Sequence, residues 1–448
     1  MRAHMLLGAL ALTGCLSDLD HQRREVERAR REMVYDLRED LKYGPVLWTT
    51  EDDVAALTSA VTVEAVQAAV LRRNPDLLAA LQRWVAALER APQVTSLPYP
   101  VVQYRYSSMF RMHSVGAEQM LPWPGKLLAE GEAALALARA ARADWREVES
   151  VARAQAASGV AALWLARRQL ALLDENLALT DRFIGIAEAK YAAGTVTQAD
   201  VLRAQVEREG LLAERALFRR EEAVAEAGLD ALLDRPVQAP PLGPVVALPP
   251  APRPEPLTAL LLTALDRRPA LQAAGWRAHA AKADRDRADQ EWLPDAVLGG
   301  AYVRDAGADR DEVELMGGLT LPLWPGRARA ARAEADARLR GAQAEDRATY
   351  NRVVEEVRGA AARLAAAAER RRILAEGAVP RARQHVEVAE AAYVAGQLDL
   401  LGLIDAQRGL LAQELELARA AAEQVVAGAA LDRAIGAGAP QGPDGAGR

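Results

Sequence analysis

The sequence predicts a mainly α-helical chain with a small β part, built from two copies of one long unit. The first observation behind this is a set of landmarks that recur in one order about 200 residues apart. Asn74-Pro75-Asp76-Leu77 is answered by Arg268-Pro269-Ala270-Leu271, and Leu97-Pro98 by Leu293-Pro294. Trp123-Pro124-Gly125-Lys126 returns as Trp324-Pro325-Gly326-Arg327, and Tyr191-Ala192-Ala193-Gly194 as Tyr393-Val394-Ala395-Gly396. Val201-Leu202-Arg203-Ala204-Gln205 returns as Leu403-Ile404-Asp405-Ala406-Gln407. This period is far longer than a solenoid repeat, so each copy is a large hairpin-like unit. The second observation is composition: 51 % apolar residues but only 4 % aromatic. That balance suits long helices packed at close range better than an aromatic-rich globular core. Net charge is −6 with both signs interleaved, which excludes the basic stripe of a nucleic-acid binder.

The N-terminus carries an address. Met1-Arg2-Ala3-His4 gives a short positive start, Met5 to Thr13 a short apolar run, and Gly14 stands before Cys15, the sole cysteine. The run is too short to span a bilayer and reads as a signal peptide over 1–14. The pattern resembles a bacterial lipobox, in which Cys15 becomes the lipidated first residue; an ordinary signal peptide beside a chance cysteine is the alternative. Lipidation places the chain outside the cytoplasm, held to a membrane by acyl chains. Leu16 after the cysteine resembles an outer-membrane address. Residues 15–60 form a tether with an amphipathic stripe of Val26, Met33, Leu37 and Leu41.

The first copy spans 61–235. A helix over 61–91 is capped by Thr62 and interrupted at Asn74-Pro75, because proline removes a hydrogen bond and disfavours helix in the residue before it. From Val101 the period changes to two, with Val102, Tyr104 and Tyr106 alternating with Gln103, Arg105 and Ser107. A second strand runs from Val115 to Leu121. One helix then covers 126–190, with Leu163, Leu170, Leu173 and Leu177 at coiled-coil steps, and another runs from 198 to 234 after Gly194. Nine prolines within 236–256 predict an extended linker.

The second copy spans 257–436: a helix over 257–292, strands at 295–304 and 313–321, then helices over 326–393 and 398–436. In its later strand Val313, Leu315, Leu319 and Leu321 face one way and Glu314, Met316 and Thr320 the other. The tail 437–448 is Gly/Pro-rich and reads as disordered. Each long helix measures about 100 Å, and the two shorter helices of a copy add to a similar length. Four strands per chain are too few for a closed barrel, and open edges cannot face lipid. Several chains therefore share one barrel.

On these landmarks the chain resembles the outer membrane efflux protein family, the TolC-like exit ducts of Gram-negative bacteria, over about 60–436. The most specific are the two Tyr-x-Ala-Gly turns, each followed by Val/Leu-x-x-Ala-Gln. The resemblance implies a homotrimer whose twelve-stranded outer-membrane β-barrel continues as an α-helical tunnel into the periplasm. It implies that the helix–helix turns dock a periplasmic adaptor protein through Tyr191, Gly194, Thr195 and Val196, and through Tyr393, Gly396, Gln397 and Leu398. It further implies an acidic tunnel gate, with Asp405 at a matching position and Asp200 and Arg203 as the first-copy equivalents. A solvated helix face is the other reading of Asp405. The Pro-Trp-Pro-Gly-Lys stretch resembles the heavy-metal branch without fixing a substrate.

No catalytic constellation stands out. Gly125-Lys126 is no phosphate loop, since Met120 stands where the first glycine belongs and Leu127 follows the lysine. His4, His21, His113, His279 and His385 show no metal-ligand spacing. Met109, Met112, His113 and Met120 gather around the first strand pair, as soft-metal contacts or as strand and loop filler. The leading expectation is therefore a passive, non-enzymatic duct without cofactor or metal, working with an adaptor and an inner-membrane pump of RND or ABC type. The alternatives are a type I protein-secretion duct and a periplasmic coiled-coil adaptor or structural lipoprotein.

Overall fold

The computed structural model describes residues 24, 27–35, 57–250, 255–306 and 308–437. Cys15, the signal segment, Val26, Leu37 and Leu41, linker residues 251–254 and the tail from 438 lie outside the described residues. Of the amphipathic stripe, Met33 is described; it is buried on a helical stretch, 27–35, that Arg30 ties to Glu89 at 2.9 Å.

The duplication holds element by element. The first copy comprises α1 (Val63–Arg73), α2 (Pro75–Thr95), β1 (Val101–Ser107), β2 (Met112–Leu121), α3 (Pro124–Ala192) and α4 (Gln198–Leu232). The second comprises α5 (Leu257–Arg267), α6 (Pro269–Asp289), β3 (Asp295–Asp305), β4 (Arg310–Thr320), α7 (Pro325–Ile373), a π-turn (Leu374–Ala378), α8 (Val379–Val394) and α9 (Leu400–Ile435). Both copies open with helices of 11 and 21 residues, and they close with helices of 35 and 36. No described helix is long and apolar enough to cross a membrane.

Several boundaries differ from the sequence expectation. The helix expected over 257–292 is broken at Arg268-Pro269, as its counterpart is at Asn74-Pro75, because each proline starts a new helix and leaves the preceding residue extended. The helix expected over 326–393 contains the π-turn, placed where Pro380 supplies no N–H to the carbonyl of Glu376. Strands β2 and β4 start earlier, at Met112 and Arg310, so each pairs with its preceding strand right up to the turn.

The described residues divide into two compact units, one drawn from the segments up to 35, 79–146 and 269–351, the other from 57–78, 147–268 and 352–437. The first holds an antiparallel sheet in the order β1-β2-β3-β4. Below the strands, Asp295 accepts from the Trp123 backbone N–H at 2.8 Å and from Lys126 at 3.0 Å, fixing the Trp-Pro-Gly-Lys landmark to the start of β3. Trp84 stacks on Trp145 with centroids 5.7 Å apart.

In the second unit the two X-Pro breaks become anchors. Asn74 donates to the Leu232 carbonyl at 3.0 Å and caps α2 by accepting from Asp76 and Leu77. At the equivalent place Arg268 is buried, donates to the Arg433 carbonyl, and reaches Glu147 at 3.0 Å and Glu356 at 2.9 Å. Burial raises the Glu147 carboxyl above its usual range despite Arg268 and Arg433 beside it, and burial also lowers the Arg268 guanidinium. Desolvation thus wins on both partners, as expected for an interior ion cluster. The Pro-rich linker is docked: Gly243 donates to Leu57 and Val61 to Pro244, both at 2.9 Å. A Cβ on Gly243 would stand 2.6 Å from the Thr58 carbonyl oxygen, so only glycine permits that approach.

Removing Arg268 takes the arginine from Glu356 and leaves Glu147 with Arg433 alone, so Arg268→Met is expected to cost about 3 kcal/mol in thermal unfolding of the detergent-solubilised protein. Glu147→Gln should behave oppositely. Its carboxyl takes a proton before the unfolded chain does, so the burden of its charge is present at neutral pH and relieved as pH falls through the raised value. The variant should be at least as stable as the parent at neutral pH, with the difference fading in acid; a variant less stable at every pH contradicts this.

Candidate functional site

Two regions carry functional geometry: the helix–helix turns of the second unit and the strands of the first. At the first turn, Gly194 adopts a left-handed φ of 72°, and at the second, Gly396 has φ 75°. These glycines let the chain reverse while the last carbonyls of each helix are satisfied: Thr195 donates to Lys190 at 2.9 Å, and Gln397 to Ala392 at 2.8 Å. Each following helix is capped. The Thr197 backbone N–H and hydroxyl both donate to Asp200, at 3.0 and 2.9 Å, and Asp399 accepts from the Gly402 N–H at 2.9 Å.

The two turns share a motif but differ in surroundings. Tyr191 is 49 % exposed and Tyr393 is 2 %. Lys190, at the first turn, donates to the Tyr393 carbonyl at 2.5 Å and lies 4.2 Å from the centre of its ring. Burial, and then the nearby Asp200 carboxylate, raise the Tyr393 phenol above its ordinary value. Phe183, Ala204, Val386, Leu403 and Ile404 pack around it in one core. Of the remaining expected docking residues, Gly194, Thr195, Gly396 and Gln397 are exposed, and Val196 and Leu398 are half-buried.

The strand register sorts side chains onto two faces. Tyr104 pairs with Val115, Val115 with Tyr302, and Tyr302 with Val313, a continuous apolar and aromatic row. The next row on that face, Val102, Ala117, Gly300 and Leu315, is apolar as well. The opposite face carries Gln103, Arg105, Glu118, Glu312 and Glu314. A strand with one apolar and one polar face in alternation is the pattern of a wall between lipid and water. The same register separates the supposed soft-metal group. His113 stands on the apolar face with its Nδ1 2.7 Å from the Tyr104 hydroxyl, whereas Met112 and Met120 stand on the polar face.

The family profile described as outer membrane efflux protein matches residues 66–235 and 260–437, most of the chain and both copies. The chain belongs to the outer membrane efflux protein family. It is an exit duct of an efflux system and resides in the outer membrane. Curated protein sequences yield no match. Among solved structures, the outer-membrane channel OprN is 22 % identical, with 88 % of this chain and 99 % of that one covered and a TM-score of 0.74. CusC, whose structures concern folding and transmembrane channel formation, is 20 % identical over 84 % and 92 %, TM-score 0.74. The outer membrane protein VceC from Vibrio cholerae is 20 % identical over 84 % and 96 %, TM-score 0.70. At such identities the likeness concerns the fold.

In this efflux protein the three expected gate residues occupy distinct settings. Asp405 and Arg203 are exposed, while Asp200 is half-buried and committed to capping α4. Next to Asp405, Arg408 bonds Glu207 at 2.9 Å across from α9 to α4, and the Glu207 hydrogen bond, with Asp405 adding less, raises the Arg408 guanidinium. Sequence reasoning missed Lys190, Glu207 and the buried cluster around Gln407. The Gln407 amide donates to the Asn176 side-chain oxygen at 3.2 Å and to the Thr180 hydroxyl at 3.0 Å, holding α9 on α3. Recurrence of Gln205 and Gln407 in both copies was the available signal.

Replacing Gln407 by Leu leaves the Asn176 side-chain oxygen without its donor in a buried seam. The expected cost is about 2 kcal/mol, with faster backbone hydrogen exchange over 400–411; exchange and unfolding unchanged from the parent would show that the cluster holds nothing.

Proposed function

We propose that three copies of this chain close into one duct, a β-barrel in the outer membrane continued by a helical tunnel, which passively releases small toxic solutes. The observation that carries this reading is the unequal burial of equivalent positions in the two copies. Ile404 is 5 % exposed, but its counterpart Leu202 is 52 %; Gln407 is 4 % exposed, but Gln205 is exposed. Val206, Leu217 and Val224 extend the uncovered stripe along α4, at 71, 52 and 66 % exposure. Within one chain, then, α9 has the long helix α3 to lie against and α4 lacks the corresponding cover. On α8, Val388 is 67 % exposed. The missing partner of α4 is supplied by α8 of a neighbouring copy, a head-to-tail contact that closes a ring. The free edges of β1 and β4, at opposite sides of the sheet, ask for a neighbouring copy on each side.

The duct performs no bond chemistry. Substrate and energy reach it from an inner-membrane pump through a periplasmic adaptor. The adaptor docks on the turns, where Tyr191, Thr195 and Gln397 are exposed at the end of helices held rigid by the Tyr393 core. Cys15 carries the lipid anchor, and Asp405, repeated around the three-fold axis, narrows the tunnel mouth, where three like charges repel one another and attract cations.

Reconstituted in planar bilayers, the protein should form discrete conductance steps, and Asp405→Ala should raise the resting conductance by about two-fold or more. Unchanged conductance in that variant rejects Asp405 as the gate, and no conductance from the parent rejects the duct. Metabolic labelling with palmitate should mark the parent and not Cys15→Ser; equal labelling would remove Cys15 as the anchor.

A further inference from the structure

The two copies treat one polar contact differently. Within the chain, the Gln407 amide on α9 donates to the Asn176 backbone carbonyl of α3 at 3.1 Å, besides its bonds to the Asn176 and Thr180 side chains. Its twin Gln205 is exposed on α4, beside Leu202 and Val206 of the uncovered stripe, and has no hydrogen-bond partner among the described residues. A neighbour that covers this stripe also covers the amide, and a buried amide left without a partner is costly. The duplication says where a partner stands. Asn176 and Thr180 lie 15 and 11 residues before Tyr191, and the same offsets before Tyr393 give Ala378 and Ala382. Neither alanine has a side-chain acceptor. The bond from Gln407 to the Asn176 carbonyl asks nothing of the side chain at that place, however, so the Ala378 carbonyl can receive the same bond. A carbonyl keeps a second lone pair after its helical bond. In the first copy the Thr180 hydroxyl also donates to the Asn176 carbonyl, at 2.9 Å, whereas Ala382 has no hydroxyl to compete.

Ala378 is the last residue of the π-turn, and the turn has a reason to be there. Tyr191 follows Trp123 by 68 residues and Tyr393 follows Trp324 by 69, so the second copy carries one extra residue along its long helix. In an unbroken α-helix one inserted residue would rotate everything above it by about 100°. The π-turn takes up the extra residue within a single wider turn, and the faces above and below it stay in phase. None of its residues is buried within the chain, which leaves the turn open to a neighbour.

We propose that the side-chain amide of Gln205 donates to the Ala378 carbonyl of the neighbouring copy, a buried clasp between copies seated at the π-turn. The proposal rests on the ring reading above and adds the contact that fastens α4 of one copy to α8 of the next. It is the counterpart, across copies, of the bond that Gln407 makes to Asn176 within one chain.

The test is photo-crosslinking of the full-length, detergent-solubilised protein with p-benzoylphenylalanine in place of Gln205 or, in a parallel variant, of Val206. Irradiation of the Gln205 variant should give a band at twice the chain mass whose crosslinked peptide lies within 374–382 of the second copy. Crosslinks to any other segment of the second copy, or from the Val206 variant alone, overturn the clasp and leave the ring standing. A monomeric parent, with no crosslink between copies from either position, overturns the ring reading and the clasp with it. Exchange of copies between differently labelled assemblies gives a second readout that needs no bulky residue. Withdrawing one copy breaks two seams, so Gln205→Leu should exchange about ten-fold faster than the parent. Were Gln205 only filling space beside Leu202 and Val206, leucine would serve there at least as well. An exchange rate equal to or slower than the parent's therefore overturns the clasp.

Discussion

The constraint on which everything else depends is the unpaired backbone at the two edges of the sheet. A lipid bilayer offers no hydrogen-bond partners, so each N–H and C=O left open on β1 and β4 costs several kcal/mol if it meets hydrocarbon. Four strands with two free edges are therefore stable only where other copies continue the ladder. The helices answer to the same demand. The covered and uncovered faces of α9 and α4 are related by the internal duplication, and the uncovered stripe of α4 likewise asks for a partner that one chain does not supply.

Duplication followed by divergence accounts for most of the asymmetry. Asn74 and Arg268 occupy one place in the repeat and solve one problem, the helix restart after an X-Pro break, with different chemistry. Asn74 does it with a neutral cap, whereas Arg268 draws Glu147 and Glu356 into a buried cluster whose desolvation raises the Glu147 carboxyl. The turns show the same division. Gly194 and Gly396 keep the left-handed geometry that the reversal requires, while Tyr191 stays at the surface and Tyr393 becomes part of the core that Lys190 covers.

Much of the fold was legible from the sequence because its signals are local: strand alternation, the glycine turns, the Thr62 cap, and prolines at fixed offsets. The break at Arg268 and the π-turn before Pro380 were also written locally but were masked by strong helical composition on both sides. What sequence could not separate is the environment of equivalent residues. Nothing in Leu202 or Ile404, or in Gln205 or Gln407, says which is covered, since that is decided by contacts hundreds of positions away. For the same reason nothing local in the sequence says that Asp200, the first-copy equivalent position, accepts from Thr197 at the start of α4.

The most direct test of this account is electron microscopy of the detergent-solubilised full-length protein, scored for rotational symmetry. A three-fold hollow particle, with β1 of one copy paired to β4 of the next and α4 covered by a neighbouring α8, is the predicted result. A monomeric particle with the α4 stripe open to solvent would contradict it.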